Sequence, residues 1–200
     1  RHGFDLEPVL RTGCAWRHLP GDFPPWGTVH KSFSRWAAQG VFERFHDRLR
    51  AQWRERVGKS AAPTTAILDS QSTRHSPQGG VSGYDAGKKV KGRKRHILTD
   101  TTGLLVGAIV HAANVQDRDG AAILLASVRH IYPWLRHIFA DAAYAGDKLA
   151  GKLARLGKWT LEIVRRLQAT EGFRLLKRRW VVERTLAWLN RNRRLAKDFE

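Results

Sequence analysis

The sequence predicts an α/β protein in which a mixed sheet carries packed helices and is preceded by a small helical region. Three observations lead there. Short apolar runs of strand length recur at 65–70, 95–100, 104–110, 137–141 and 160–164. Helical periodicity fills 117–132, 147–156 and 180–194. The first 57 residues show helical spacing, interrupted by one loop. The resulting order after residue 64 is β-β-β-α-β-α-β-α, which implies a mixed sheet with helices lying on it.

Within the first region, residues 12–20 lead into a Gly/Pro-rich stretch at 21–27, where Pro24 and Pro25 forbid a continuing helix. Thr28 is a candidate N-cap for a helix beginning after that loop. Val29, Phe33, Trp36, Val41, Phe42, Phe45 and Leu49 recur at helical spacing, broken near Gly40, with Lys31, Arg35, Arg44, Arg48 and Arg50 largely off that stripe. Two facing amphipathic helices account for this, with aromatic residues as core and arginines solvated. A DNA-reading helical element accounts for it as well. Residues 58–64 read as a linker by composition, which divides the chain into 1–57, the linker 58–64, and 65–200.

In the second region, Thr101, Thr102 and Gly103 form a hairpin signature between two strands. Ala121, Leu124, Leu125 and Val128 share one face of the next helix, which Pro133 ends.

Charge narrows the function. With 36 Lys+Arg against 18 Asp+Glu, the formal net charge is +18, which favours a polyanionic partner, nucleic acid first. No run approaches the roughly 18 apolar residues of a membrane span, and the basic residues are spread along the chain rather than gathered on one amphipathic helix. Cys14 is the single cysteine, so there is no intrachain disulfide framework and no thiolate zinc cluster, and a reducing, cytoplasmic setting fits. The start lacks the features of a signal peptide, and the absence of Met, position 1 included, predicts a fragment or partial reading frame. The glycine-rich 78–83 stretch lacks the Lys-Ser/Thr ending of a phosphate-binding loop, which argues against an ATPase. The nine histidines show no tight metal spacing. Asp85, Asp100, Asp117 and Asp119 read as turn or cap residues.

The acids at the strand ends carry the chemistry. Asp69 and Asp141 each close an apolar strand candidate, and ligands in open α/β sheets bind at the carboxyl ends of strands. Were the two strands neighbours, the carboxylates would converge and require a cation between them. Hard oxygen donors favour magnesium or manganese over zinc. Glu183, one turn into the last helix, is the best-placed third acid; its structural alternative is a charge favoured by the helix start. Three such acids suit two metal ions for in-line displacement at phosphorus.

Basic segments flank these acids. Lys88, Lys89, Lys91, Arg93, Lys94 and Arg95 put six cations into eight positions and read as phosphate contacts, with a solvated loop as the alternative. Arg179, Arg184 and Arg191 surround Glu183 in the same manner, while Trp180 and Trp188 read as core anchors.

Three segments together resemble the DDE transposases of the bacterial insertion-sequence-five group. They are 67–70 (ILDS), 139–146 (FADAAYAG), and above all 179–189 (RWVVERTLAWL) with 193–200 (RRLAKDFE). Residues 11–36 are similar to that group's N-terminal helical domain. The resemblance implies an RNase H-like core in which Asp69, Asp141 and Glu183 bind two magnesium ions, with manganese an alternative. It further implies cleavage at terminal inverted repeats, strand transfer into target DNA, and a homo-oligomer acting on DNA in the bacterial nucleoid. The related Tyr-x2-Arg-x3-Glu-x6-Lys signature is met by Arg179 and Glu183, but Leu176 stands at the Tyr position and Asn190 at the Lys position, beside Arg191. Two other readings of the same residues are a non-catalytic basic nucleic-acid-binding protein and an RNase H-like nuclease that cuts without joining.

Overall fold

The computed structural model describes residues 6–75, 80–157, 159–165 and 179–197. Short helical segments at Pro8–Thr12 and Trp16–His18 precede α1 (Trp26–Ala38) and α2 (Val41–Arg56), which Gly40 separates at a φ of 63°. α1 starts ahead of the expected cap Thr28, with Pro25 at its N-cap position, because a proline there has no amide hydrogen to leave unmet. The two helices face one another through an aromatic cluster. Phe33 stacks near Trp16 and Phe42, each at 5.3 Å between ring centroids, and Trp36 meets Phe42 edge-on.

The expected burial along α2 is overturned. Phe45, Leu49, Trp53 and Val57 lie exposed at four-residue spacing, and the buried positions are Arg50 and Arg54. Their acceptors explain the inversion, because a guanidinium leaves water only where its donors are met. Arg50 donates to Leu105 O at 2.9 Å and Tyr132 Oη at 3.1 Å, pairs with Asp47 at 3.0 Å, and lies over the Tyr132 ring. Arg54 donates to Asp100 at 2.6 Å and to Ser60 O at 2.7 Å. The helical region is thus clamped to the sheet by two buried cations.

The sheet comprises β1 (Thr65–Arg74), β2 (Gly83–Asp85), β3 (Val90–Asp100), β4 (Leu105–Ala112), β5 (His137–Ala140) and β6 (Thr160–Ile163). Its order runs β2-β3-β1-β5-β6, with β4 also paired to β3. β1, β2 and β4 run antiparallel to β3, while β1–β5 and β5–β6 are parallel. Helices α3 (Asp117–Val128), α4 (Asp147–Leu156), α5 (Arg179–Asn190) and the short α6 (Arg193–Ala196) complete the described elements.

Strand alternation sorts the apolar residues onto two faces. Ala66, Leu68, Leu98, Ile138 and Ala140 pack under Leu124, Leu125 and Val128 of α3 and Leu149 and Leu153 of α4. Ile67, Ile97 and Phe139 point the other way and pack against Val181, Val182 and Leu186 of α5. α5 is fixed there by polar ties as well, since Thr185 donates to Gly103 O at 2.7 Å in the β3–β4 turn.

Several boundaries differ from the sequence reading. β1 runs past Ser70 to Arg74, and β3 begins at Val90 rather than at 95. The cause is the continuous antiparallel register from Ala66↔Asp100 to Arg74↔Gly92, which holds polar residues in strand by backbone pairing rather than by burial. β2 pairs onto that extension and has no periodicity of its own. α3 ends at Val128, ahead of the expected 132, and the last helix breaks after Asn190.

Candidate active site

Asp69 sits in the middle of β1 rather than at a strand end, two residues beyond Ile67 on the face that α5 covers. The parallel register pairs Ile67 with Phe139, so two further steps bring Asp69 level with Asp141, the first residue after β5. Each aspartate is oriented by the backbone beside it. Asp69 Oδ1 accepts from the Ser70 amide at 2.7 Å, and Asp141 Oδ1 accepts from the Ala143 amide at 2.9 Å. The second oxygen of each remains for other partners.

Val181 and Val182 press α5 onto Ile67, Ile97 and Phe139, and this places Arg179 and Glu183 at the rim above the aspartates. Arg179 Nη2 lies 3.8 Å from Asp141 Oδ2 and 3.3 Å from Glu183 Oε1, so one guanidinium stands between two carboxylates. Burial pushes the Asp69 carboxyl up to about 6, and Asp141 adds to the rise. The Ser70 amide, Arg179 and Lys88 oppose it. Among the described residues, no three His, Cys, Asp or Glu side chains are gathered tightly enough to hold a metal ion.

Lys88 approaches from the β2–β3 turn, its Nζ donating to Ser70 O at 2.9 Å and Ser70 Oγ at 3.2 Å. Behind it, on the α3 side of the sheet, is a buried polar layer. Lys94 Nζ lies 3.0 Å from each of Asp85, Asp117 and the Val115 carbonyl. Ser72 donates to Asp85 at 2.6 Å and Ser70 to Asp117 at 3.1 Å. Burial by itself would raise Asp85, but bonds from Ser72, the Lys88 amide and Lys94 outweigh it and hold the group at about 2. Burial lowers His96 to about 4, with His111 adding to the effect from 2.9 Å away.

This layer corrects one sequence reading. Lys94 is 4% exposed and engaged by internal carboxylates, not presented to phosphates. Asp85 does accept from the Lys88 amide across the β2–β3 turn, at 3.1 Å, and Asp117 does open α3, and both also serve as partners of Lys94. Asp100 does close the β3–β4 turn, accepting from the Thr102 and Leu104 amides, while also holding Arg54. Asp119 pairs with Lys148 and Lys152. The signal that separates these groups is strand alternation, since Lys94, His96, Leu98 and Asp100 share one face of β3.

The other cationic candidates divide likewise. Arg184 is stacked between the Trp180 and Trp188 rings at 4.4 and 4.7 Å and donates to Thr102 O at 2.8 Å, which fixes α5 to the sheet. Arg95 donates to Gln71, to Asn190 Oδ1 at 2.8 Å and to Leu195 O at 2.6 Å, so the residue at the expected lysine position is bound to a β3 arginine. Arg93 reaches Val81 O. Lys88, Lys89, Lys91 and Arg191 are exposed, and Arg179 stands among the acids. Leu176, Lys177 and Arg178 lie outside the described residues, as do residues 78 and 79 of the glycine-rich stretch and the motif's end at 198–200.

A mixed sheet of this order, helices on both faces and one helix crossing the acid-bearing face, defines the RNase H-like class of fold. A family model described as Transposase DDE domain matches residues 60–200, and the chain belongs to that family. Residues 8–46 match a second model, described as a transposase of the IS4/5 family. A Burkholderia cepacia protein, whose name assigns it to transposition of insertion sequence element IS402, is 35% identical over 116 residues. That match covers 54% of each chain, so the chain spans about half the length of this relative. No helix among the described residues is long and apolar enough to cross a membrane.

Proposed function

We propose that this chain is the catalytic part of a DNA transposase, cutting double-stranded DNA at the terminal repeats of an insertion sequence and joining the freed end to target DNA. The observation that supports the reading is Arg179 between Asp141 and Glu183, with Asp69 on the strand beside Asp141 and within electrostatic reach of both Asp141 and Arg179.

The donor set fits a divalent ion. All three groups are carboxylates, the hard oxygen donors of magnesium and manganese. Asp69, Asp141 and Glu183 would hold two magnesium ions, which when bound supply activation of the attacking water or 3′-hydroxyl and stabilisation of the leaving oxygen. The Ser70 and Ala143 amides each hold one oxygen of Asp69 and Asp141, which leaves the other oxygen of each for a metal ion. Arg179 turns from Asp141 and Glu183 to a strand phosphate, and Lys88 holds a neighbouring phosphate from the opposite side. Lys89, Lys91, Arg93 and Arg191 extend the phosphate track, and two copies of the chain pair two element ends in the bacterial cytoplasm.

The test is Mg²⁺-dependent nicking of a labelled terminal-repeat duplex, then strand transfer into a second DNA. Asp141→Asn and Glu183→Gln are expected to lower nicking by at least about a thousandfold, in keeping with the weight of electrostatic stabilisation in such sites. Nicking by these variants at the parent's rate overturns the assignment. Nicking without joining would reduce the enzyme to a nuclease.

A further inference from the structure

At the far end of the β1–β3–β2 strands from α2, a recess of ≈ 590 Å³ is lined by Arg74, His75, Tyr84, Lys89 and Lys91. The registers explain why these residues meet. Tyr84 is paired with Lys91 across β2–β3, and Arg74 with Gly92 across β1–β3, so His75, Lys91 and Tyr84 form one row over three strands. By strand alternation, His75 and Asp69 share a sheet face six residues apart, a separation of roughly 20 Å at ~3.3 Å per residue.

Three features distinguish this row from an ordinary solvated edge. Its cations are unpaired: among the described residues, Arg74, Lys89 and Lys91 have no ion-pair or hydrogen-bond partner, whereas Lys94 and Arg95 of the same basic run are engaged internally. Tyr84 is 55% exposed beside them and makes no ring-stacking or cation–π contact among the described residues. His75 Nδ1 is buried there and also lacks a partner among the described residues. An exposed aromatic ring among unpaired cations recognises a flat π-face joined to negative charge, which is the chemistry of an unpaired nucleotide in a strand. Double-stranded DNA satisfies the cations but buries its base faces in the stack, leaving the tyrosine without a partner.

We propose that this recess is a second nucleic-acid subsite, in which Tyr84 stacks on an unpaired base while Arg74, Lys89 and Lys91 hold the adjoining phosphates. The captured base would lie about six steps of ~3.4 Å from the carboxylates. The subsite rests on DNA being the substrate, and it is tested without cleavage, so failure of the nicking assay and failure of this proposal are separate results.

The experiment is fluorescence anisotropy in EDTA with three labelled oligonucleotides of one sequence: single-stranded, fully paired, and paired with a short unpaired flap. Tyr84→Ala is expected to weaken single-strand and flap binding by about tenfold, the scale of one base–aromatic stack, with little change for the full duplex. Tyr84→Phe should retain the parent's affinity, because stacking does not use the hydroxyl. Lys91→Ala should weaken all three and reduce the salt slope by about one counterion. A change below about twofold for Tyr84→Ala, an equal loss on the full duplex, or failure of Tyr84→Phe to rescue would each overturn the proposal.

Discussion

Replacing Asp69 by Asn should make the metal-free protein more stable at neutral pH. In the folded chain burial raises this carboxyl from 3.8 to about 6, so at a pH of about 7.5 the native state holds an anion that the unfolded state accommodates more readily. Below 3.8 the group is protonated in both states and the penalty is absent; it grows between 3.8 and about 6 and is complete above that. A rise of this size corresponds to at most about 3 kcal/mol. Water at the open side of the site and the weaker bond that a neutral Asn accepts from the Ser70 amide reduce the gain to about 1–2 kcal/mol. For a chain of this length that is a Tm increase of about 2–8 °C. Thermal melts monitored by circular dichroism in EDTA, at pH of about 7.5 and about 4, measure it. A higher Tm for Asp69→Asn at the upper pH, with a gap that shrinks toward the lower one, is the expected outcome. A variant less stable than the parent at the upper pH, or a gap indifferent to pH, would refute the reasoning.

Contacts elsewhere in the chain give three other outcomes. Arg54→Met leaves Asp100 buried without its cation and should cost about 3–5 kcal/mol in urea unfolding, with Asp100→Asn in the same background recovering part of the loss. Gly120→Ala would set a Cβ 2.3 Å from His96 Cε1 and should destabilise by about 1–3 kcal/mol, whereas Gly151→Ala, in open space on α4, should stabilise by about 0.5–1 kcal/mol in the same melts. Arg179→Gln removes the cation between Asp141 and Glu183 and should tighten Mn²⁺ binding in calorimetry while weakening DNA binding in anisotropy; unchanged Mn²⁺ affinity would detach the arginine from the metal site.

The fold was legible in the sequence wherever burial alone shapes an element. The apolar runs through Ile67, Ile97 and Phe139, and the Leu124–Leu125 stripe of α3, sit where periodicity places them, because each faces a packed helix or strand. Periodicity failed where polar backbone pairing or a buried cation decides. Val90 to Lys94 is half a strand although it reads as a loop, and α2 buries Arg50 and Arg54 while exposing Phe45. The acids divide in the same way. Asp69 and Asp141 stand level because β1 and β5 are parallel neighbours, a long-range fact that strand-end position hints at and sequence does not encode locally. Which lysines of the basic run remain available for phosphates depends on strand parity, and parity can be assigned only with the register of β3 known.

The most direct test of the central claim is anomalous diffraction from crystals grown with Mn²⁺. The expected result is density within about 2.0–2.6 Å of carboxylate oxygens of Asp69, Asp141 and Glu183, the range of oxygen ligands to divalent ions, with Arg179 withdrawn from between the last two. Manganese bound instead at Asp85 and Asp117, or absent from the three acids at saturating concentration, would contradict it.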